Sequence, residues 1–274
     1  MRSDLKIAFI GGGNMATALL GGLAGKLTAG ANIHVVDPNT DALARLSERF
    51  GVGTAAGVDA AVYDVDVIVL AVKPQQMREV AAALLPHLCG QLVLSIAAGI
   101  RAADLSRWLN GHSAIVRCMP NTPALIGQGI TGMVATAGVS EQQKEAAEAI
   151  MRSVGATVWL ADEGLIDPVT AVSGSGPAYV FYFIEAMQQA AQEMGLTAGQ
   201  GTQLAIATFT GAAQLAAQSD EPVSVLRERV TSKGGTTYAA LTSMEQSGVK
   251  QAIVKALHAA AARGKELGDE FGKD

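Results

Sequence analysis

The chain has 274 residues, 49% of them apolar, enough for a packed core in one large domain or two ordinary ones. A formal net charge of -5 and a pI near 5.4 argue against a nucleic-acid partner, which usually meets a basic face, and favour a small-molecule substrate. No apolar run reaches the roughly 18 residues of a membrane span, and the two cysteines and four histidines show neither a disulfide framework nor metal-ligand spacing.

The N-terminus, MRSDLKIAFIGGG, enters a strand directly with no signal-peptide pattern, so the reading is a cytoplasmic protein without a membrane or metal partner. Charged residues make up only 16% of the chain, against about 25% in a typical soluble domain. Mean hydropathy is positive at +0.28. Both point to apolar surface held at a subunit interface.

In chain order, the β-rich runs KIAFI, IHVV, VDVIVLAV, QLVLSI and SAIVRCM alternate with helix-like segments such as 41–50 and 75–85. That alternation predicts a parallel α/β sheet. Several runs are apolar on both faces, as strands covered by helices on both sides should be. Two more strands are expected at 130–136 and 156–160, with a helix over 140–153 between them. After about Asp162 the strand signals stop, and the remainder is helical by periodicity and alanine content. The expected organisation is a Rossmann-type dinucleotide-binding domain over 1–162 and an all-helical substrate-binding and dimerisation domain over 163–274.

The first β–α junction reads FIGGGNMATALL. Gly11, Gly13 and Ala16 match G-x-G-x-x-G/A: the first glycine turns the chain, the second admits a pyrophosphate to the backbone, and the third small residue lets helix pack on strand. A lone match is weak, but this one follows the first strand and opens a helix. The second strand then ends at Asp37, roughly 20 residues after Ala16, where an acidic side chain hydrogen-bonds an adenosine ribose and repels a 2′-phosphate. By charge alone Asp37 favours NAD(H); the bland alternative is an Asp-Pro turn or a helix cap.

Ligands of open α/β sheets sit at the carboxyl ends of the strands, so AVKPQ (71–75) and SIAAG (95–99) share a rim with the glycine loop. Lys73 is equally a phosphate contact or a surface lysine. In RCMPNTPA (117–124), prolines stiffen a loop whose Asn121 and Thr122 could orient a nicotinamide amide or a substrate; the alternative is an interdomain turn. SGSGP (173–177) interrupts a helix and restarts it. In VTSKGGTTYAAL (230–241), Gly234 and Gly235 lead into a helix starting near Thr236, leaving backbone N–H groups exposed with little bulk over them. Such a start suits a carboxylate.

GGGNMA, AVKP, AAG, RCMPNTPA, SGSGPAY and VTSKGGTT, in that order and over essentially the whole chain, resemble the pyrroline-5-carboxylate reductases. The resemblance implies reduction of 1-pyrroline-5-carboxylate to L-proline with NADPH, or with NADH, by a homodimer or ring of dimers whose helical domains interleave. Carried over residue by residue, cofactor contacts fall on Gly11, Gly12, Gly13, Asn14, Met15, Ala71, Val72, Lys73, Pro74, Ala97, Ala98 and Gly99, to which the reading above adds Asp37 and Asn121. Substrate contacts fall on Ser232, Gly234, Gly235, Thr236 and Thr237. Two positions depart from the family pattern: Lys233 stands where proline is common, and Val58 where an asparagine often meets the cofactor ribose.

An iminium substrate needs hydride delivery and orientation but no general base, and no histidine falls in these motifs. A hydroxyl near the ring nitrogen suffices, and Thr237 is the candidate. A β-hydroxyacid dehydrogenase would share the two-domain plan but want a catalytic lysine on a helix behind a Gly-Gly stretch, and the second domain has no such arrangement. A non-catalytic nucleotide sensor is the third reading.

Overall fold

A computed structural model describes residues 4–273. The strands β1 (Ile7–Ile10), β2 (Ile33–Val36), β3 (Gly53–Ala55), β4 (Val67–Leu70), β5 (Leu92–Ser95), β6 (Ile115–Met119), β7 (Gly129–Ala135) and β8 (Gly155–Trp159) form one sheet in the order β3-β2-β1-β4-β5-β6-β7-β8. All neighbouring pairs are parallel except β6 with β7. The exception follows from the connection. Only 120–128 joins β6 to β7, too short for the crossover of a dozen or more residues that a parallel partner requires.

Helices α1 (Asn14–Leu23), α2 (Thr40–Phe50), α3 (Met77–Leu84), α4 (Ala102–Trp108) and α5 (Glu141–Arg152) are the crossovers. β1, β4 and β5 are buried at every position, because each face has its own helical cover. Ile7, Phe9, Val69 and Leu94 pack with Leu19 and Leu23 of α1 and Ile150 and Met151 of α5. Ala8, Ile68, Leu70 and Val93 pack with Met77, Ala81 and Leu84 of α3 and Leu105 of α4. Two elements carry weak sequence signals: β3 is Gly-Thr-Ala, and α4 spans only 7 residues. The helix expected from Gln75 begins at Met77, since Pro74 opens a 3-10 turn first.

Beyond β8 come α6 (Ile166–Val169), a π-helical turn (Thr170–Gly174), α7 (Gly176–Glu193), α8 (Ala198–Gln218), α9 (Val223–Arg229), α10 (Thr236–Gln246) and α11 (Val249–Phe271). The chain divides into two compact units: one runs to Ser175 and resumes at Ala260, and the other is Gly176–Ala259. Where the sequence suggests a boundary at 162, contacts keep α6 and the π-helical turn with the sheet. Ile166 is buried, Val169 leaves no room for a side chain on Gly132 of β7, and Met119 of β6 closes on Gly174.

The second unit has very little interior. Its buried residues are Ala191, Gly201 and Ala205, where α7 and α8 approach closely, with the rings of Phe183 and Phe209 6.3 Å apart. Phe181, Tyr182, Leu204, Ile206 and Leu215 remain exposed. Among the described residues, no helix is long and apolar enough to cross a membrane.

Candidate active site

Two groups of motif residues stand out, one in each unit. The first lies on the carboxyl rim of the parallel strands. Gly11 has φ +104, and a Cβ there would fall 2.6 Å from the carbonyl oxygen of Ala71, so no other residue fits between β1 and the end of β4. Its N–H donates to Val36 O at 2.8 Å, and Ala71 N–H donates to Ile10 O at 2.8 Å, which ties the loop to its neighbours on both sides. Gly13 faces open space at the N-cap of α1 and makes no side-chain cap. Among the described residues, the N–H groups of Gly13, Asn14, Met15 and Ala16 have no acceptor. An uncapped helix start of this kind is a ready anion site.

Asp37 makes the turn contact its sequence allows and adds a bond to the glycine loop. One carboxylate oxygen accepts from Gly12 N–H at 2.7 Å and the other from Asn39 N–H at 2.8 Å, in the turn that begins α2. The carboxylate therefore braces the glycine loop. Lys73 is exposed, precedes Pro74, and has no acidic partner among the described residues. At the end of β5, the buried Ser95 hydroxyl accepts from Ala97 N–H at 3.4 Å, and Gly99 turns the chain at φ +74.

Asn121 is engaged within the first unit. Its side chain, expected to meet the cofactor, donates to Ser173 O at 3.1 Å and accepts from Ile130 N–H at 3.0 Å. The residue is 9% exposed. Its carboxamide pins the β6–β7 loop to the start of β7 and to the π-helical turn, a structural task that buried amides are built to perform.

The second group opens α10. Gly234 has φ +74, Gly235 is the N-cap, and Gly235 N–H donates to Ser232 O at 3.0 Å. A Cβ on Gly235 would lie 2.7 Å from the Ser232 hydroxyl. The N–H groups of Thr236, Thr237 and Tyr238 have no acceptor among the described residues. Thr237 is half-buried and Thr236 exposed. This is a second uncapped helix start, of a kind suited to an anion.

Sequence reasoning missed a part-buried ion pair between β6 and the segment after β8. Arg117 of β6, 4% exposed, donates to Glu163 at 2.9 Å, and the same glutamate oxygen accepts from Ala102 N–H at 2.7 Å at the start of α4. One arginine inside an apolar strand carries no spacing signal that would reveal its partner. A cavity of about 590 Å³ lies at the opposite, amino-terminal edge of the sheet, lined by Leu5, Tyr63, Cys89 and Gln143, and contains none of the motif residues.

Comparison with known proteins gives the same picture. Residues 163–267 match the family model for pyrroline-5-carboxylate reductase dimerisation, and residues 6–99 match that for NADP oxidoreductase, coenzyme F420-dependent. A pyrroline-5-carboxylate reductase of Pseudomonas aeruginosa is 45% identical over 272 residues, covering 99% of this chain and 100% of that protein. The solved pyrroline-5-carboxylate reductase of Coxiella burnetii superposes with a TM-score of 0.90 at 40% identity, covering 96% of this chain and 98% of the other. The Plasmodium falciparum pyrroline carboxylate reductase, solved with NADP bound, gives 0.86 at 30% identity over 97% and 99%. On the strength of these full-length matches, this chain belongs to the pyrroline-5-carboxylate reductase family.

Proposed function

We propose that the protein reduces 1-pyrroline-5-carboxylate to L-proline, the last step of proline biosynthesis, with NADPH as reductant and NADH as an alternative. The observation that carries this reading is the pair of uncapped helix starts, α1 and α10, each cleared of side-chain bulk by glycine. One suits a pyrophosphate and the other a carboxylate. NADP fits the first: free N–H groups at Gly13–Ala16, open space at Gly13, and the unpaired Lys73 together favour an anion.

In this reading Gly11, Gly12, Gly13, Asn14 and Met15 hold the pyrophosphate, with Ala71, Val72, Lys73, Pro74, Ala97, Ala98 and Gly99 along the same rim. Asp37 keeps the loop in shape from the ribose side. Ser232, Gly234, Gly235 and Thr236 bind the substrate carboxylate through the start of α10. The bound dinucleotide supplies a hydride. The substrate enters as the N-protonated iminium: its C=N carbon accepts the hydride, the π pair moves to the already protonated nitrogen, and the product is a neutral secondary amine. Thr237 holds the ring nitrogen, stabilising the orientation in which the imine carbon is exposed. No protein acid or base has to be placed, consistent with motifs free of histidine.

The active species is a homodimer or a ring of dimers assembled through the second unit, whose apolar residues Phe181, Leu204 and Leu215 are uncovered in the single chain. The decisive assay follows NADPH oxidation by purified protein with and without the cyclic imine. Oxidation that does not depend on the imine, or none at all, would end this reading.

A further inference from the structure

The returning end of α11 lies against the loop that follows β5. Gly264 and Gly268 are buried although they sit inside a helix, where each glycine costs about 1 kcal/mol relative to alanine. Close approach explains them. A Cβ on Gly264 would lie 3.2 Å from the Asp167 carboxylate, and one on Gly268 would lie 3.0 Å from the Arg101 guanidinium. The approach is as tight from the other side: Gly99 adopts φ +74, and a Cβ there would meet the Phe271 ring at 3.0 Å and Leu267 at 3.2 Å.

Phe271 packs into the cluster that contains Ala97, Ile100 and Ala102. Arg101, the residue leading into α4, donates to the Asp269 carboxylate at 2.5 Å and to Lys265 O at 3.3 Å. Arg107 donates to Gly272 O at 2.7 Å. The segment 97–101 is thus gripped on one side by β5 and on the other by residues that lie more than a hundred positions away in the chain.

We propose that the last turns of α11, through Phe271 and Asp269, position the Ala97–Gly99 loop for cofactor binding. The inference rests on the reading that this loop contacts the dinucleotide. Neither Phe271 nor Asp269 touches the reaction; both act through Gly99 and Arg101. Loss of the wedge or of the ion pair lets the loop leave its turn, and ordering it again on binding weakens cofactor affinity while leaving the chemical step as it was.

The test uses the full chain with Phe271→Ala, Phe271→Leu, Asp269→Asn and Ala98→Asp, measuring NADPH affinity by protein fluorescence, thermal midpoint, and steady-state constants. Phe271→Ala and Asp269→Asn should each weaken NADPH binding by about fivefold, with kcat at saturating NADPH and KM for the imine unchanged. Phe271→Leu should recover most of the affinity. A lowered thermal midpoint with unchanged NADPH affinity would make the tail merely structural and overturn the proposal. If Phe271→Ala does not fold, Asp269→Asn decides by the same outcomes. Ala98→Asp places a carboxylate on the loop itself and should abolish NADPH binding; wild-type affinity in that variant would instead overturn the reading of the loop as a cofactor contact.

Discussion

The two units solve the burial problem in opposite ways. In the first, the central strands bury every position between two helical layers, and Ile68, Leu70 and Leu94 are wholly inaccessible. In the second, long helices with similar apolar content leave Phe181 60% exposed and Leu204 56% exposed. Truncating a residue such as Ile68 in the first core should cost about 2–5 kcal/mol whatever the protein concentration. The helices of the second unit lack that self-sufficiency, so their stability should depend on association and therefore on concentration. A chain with little charge and positive mean hydropathy has placed most of its exposed large apolar side chains in one unit.

The strongest way to break this comparison is Phe181→Asp. A carboxylate on the uncovered face should abolish the oligomer and, with it, most of the activity, since large apolar interface anchors are worth about 2–4 kcal/mol each. Light scattering and turnover at matched concentrations check this. A clean, fully active monomer would show that the exposed face is only a surface.

Next in size are the effects at the start of α10. In Gly235→Val the new side chain would collide with the Ser232 hydroxyl and deform the turn, so KM for the imine should rise by about a hundredfold with NADPH affinity unchanged. Thr237→Ala removes one hydrogen bond to nitrogen and should lower kcat by about tenfold. Wild-type kinetics in both would reduce the glycines and hydroxyls to helix punctuation.

Asp37→Ser sharpens the reading of the first unit. Removing the negative charge should raise the NADPH/NADH ratio of kcat/KM by about fivefold, while loss of the acceptor for Gly12 N–H loosens the loop and weakens both cofactors. An unchanged ratio would mean that the carboxylate serves only the loop.

The smallest effect is electrostatic. The hydrogen bond from Arg101 holds the Asp269 carboxyl below its usual range. A depressed carboxylate stabilises the fold above its unfolded-state pKa and loses that contribution as pH falls through the folded value. Asp269→Asn should therefore lower the thermal midpoint slightly at neutral pH, and the difference from the wild type should begin to shrink below about pH 4 and vanish only below the depressed folded-state value. A difference that persists in acid would assign the contribution to packing.

Much of this molecule is legible in local order. The glycine loop, the double-sided apolar strands and the glycine pair before Thr236 each express a backbone requirement that neighbouring residues meet, so the α/β sheet, the helical remainder and the two uncapped helix starts could be read directly from the sequence. Short elements escaped because β3 and α4 are too brief for periodicity to register.

Roles that depend on a distant partner were beyond that reading. Asn121 looks like a ligand contact in its own loop, and only the arrival of Ile130 and Ser173 turns its amide into a brace. Asp37 carries an acidic residue's usual signal, but its bond to Gly12 needs β1 and β2 side by side. Arg117 of β6 meets Glu163 from the segment after β8, and the end of α11 returns to Gly99 and Arg101. Sequence determines which backbone conformations and which apolar faces are available, because those are properties of a residue and its near neighbours. Tertiary structure alone decides which polar groups find one another, because a hydrogen bond depends on ångström-scale placement of atoms that the chain order leaves far apart.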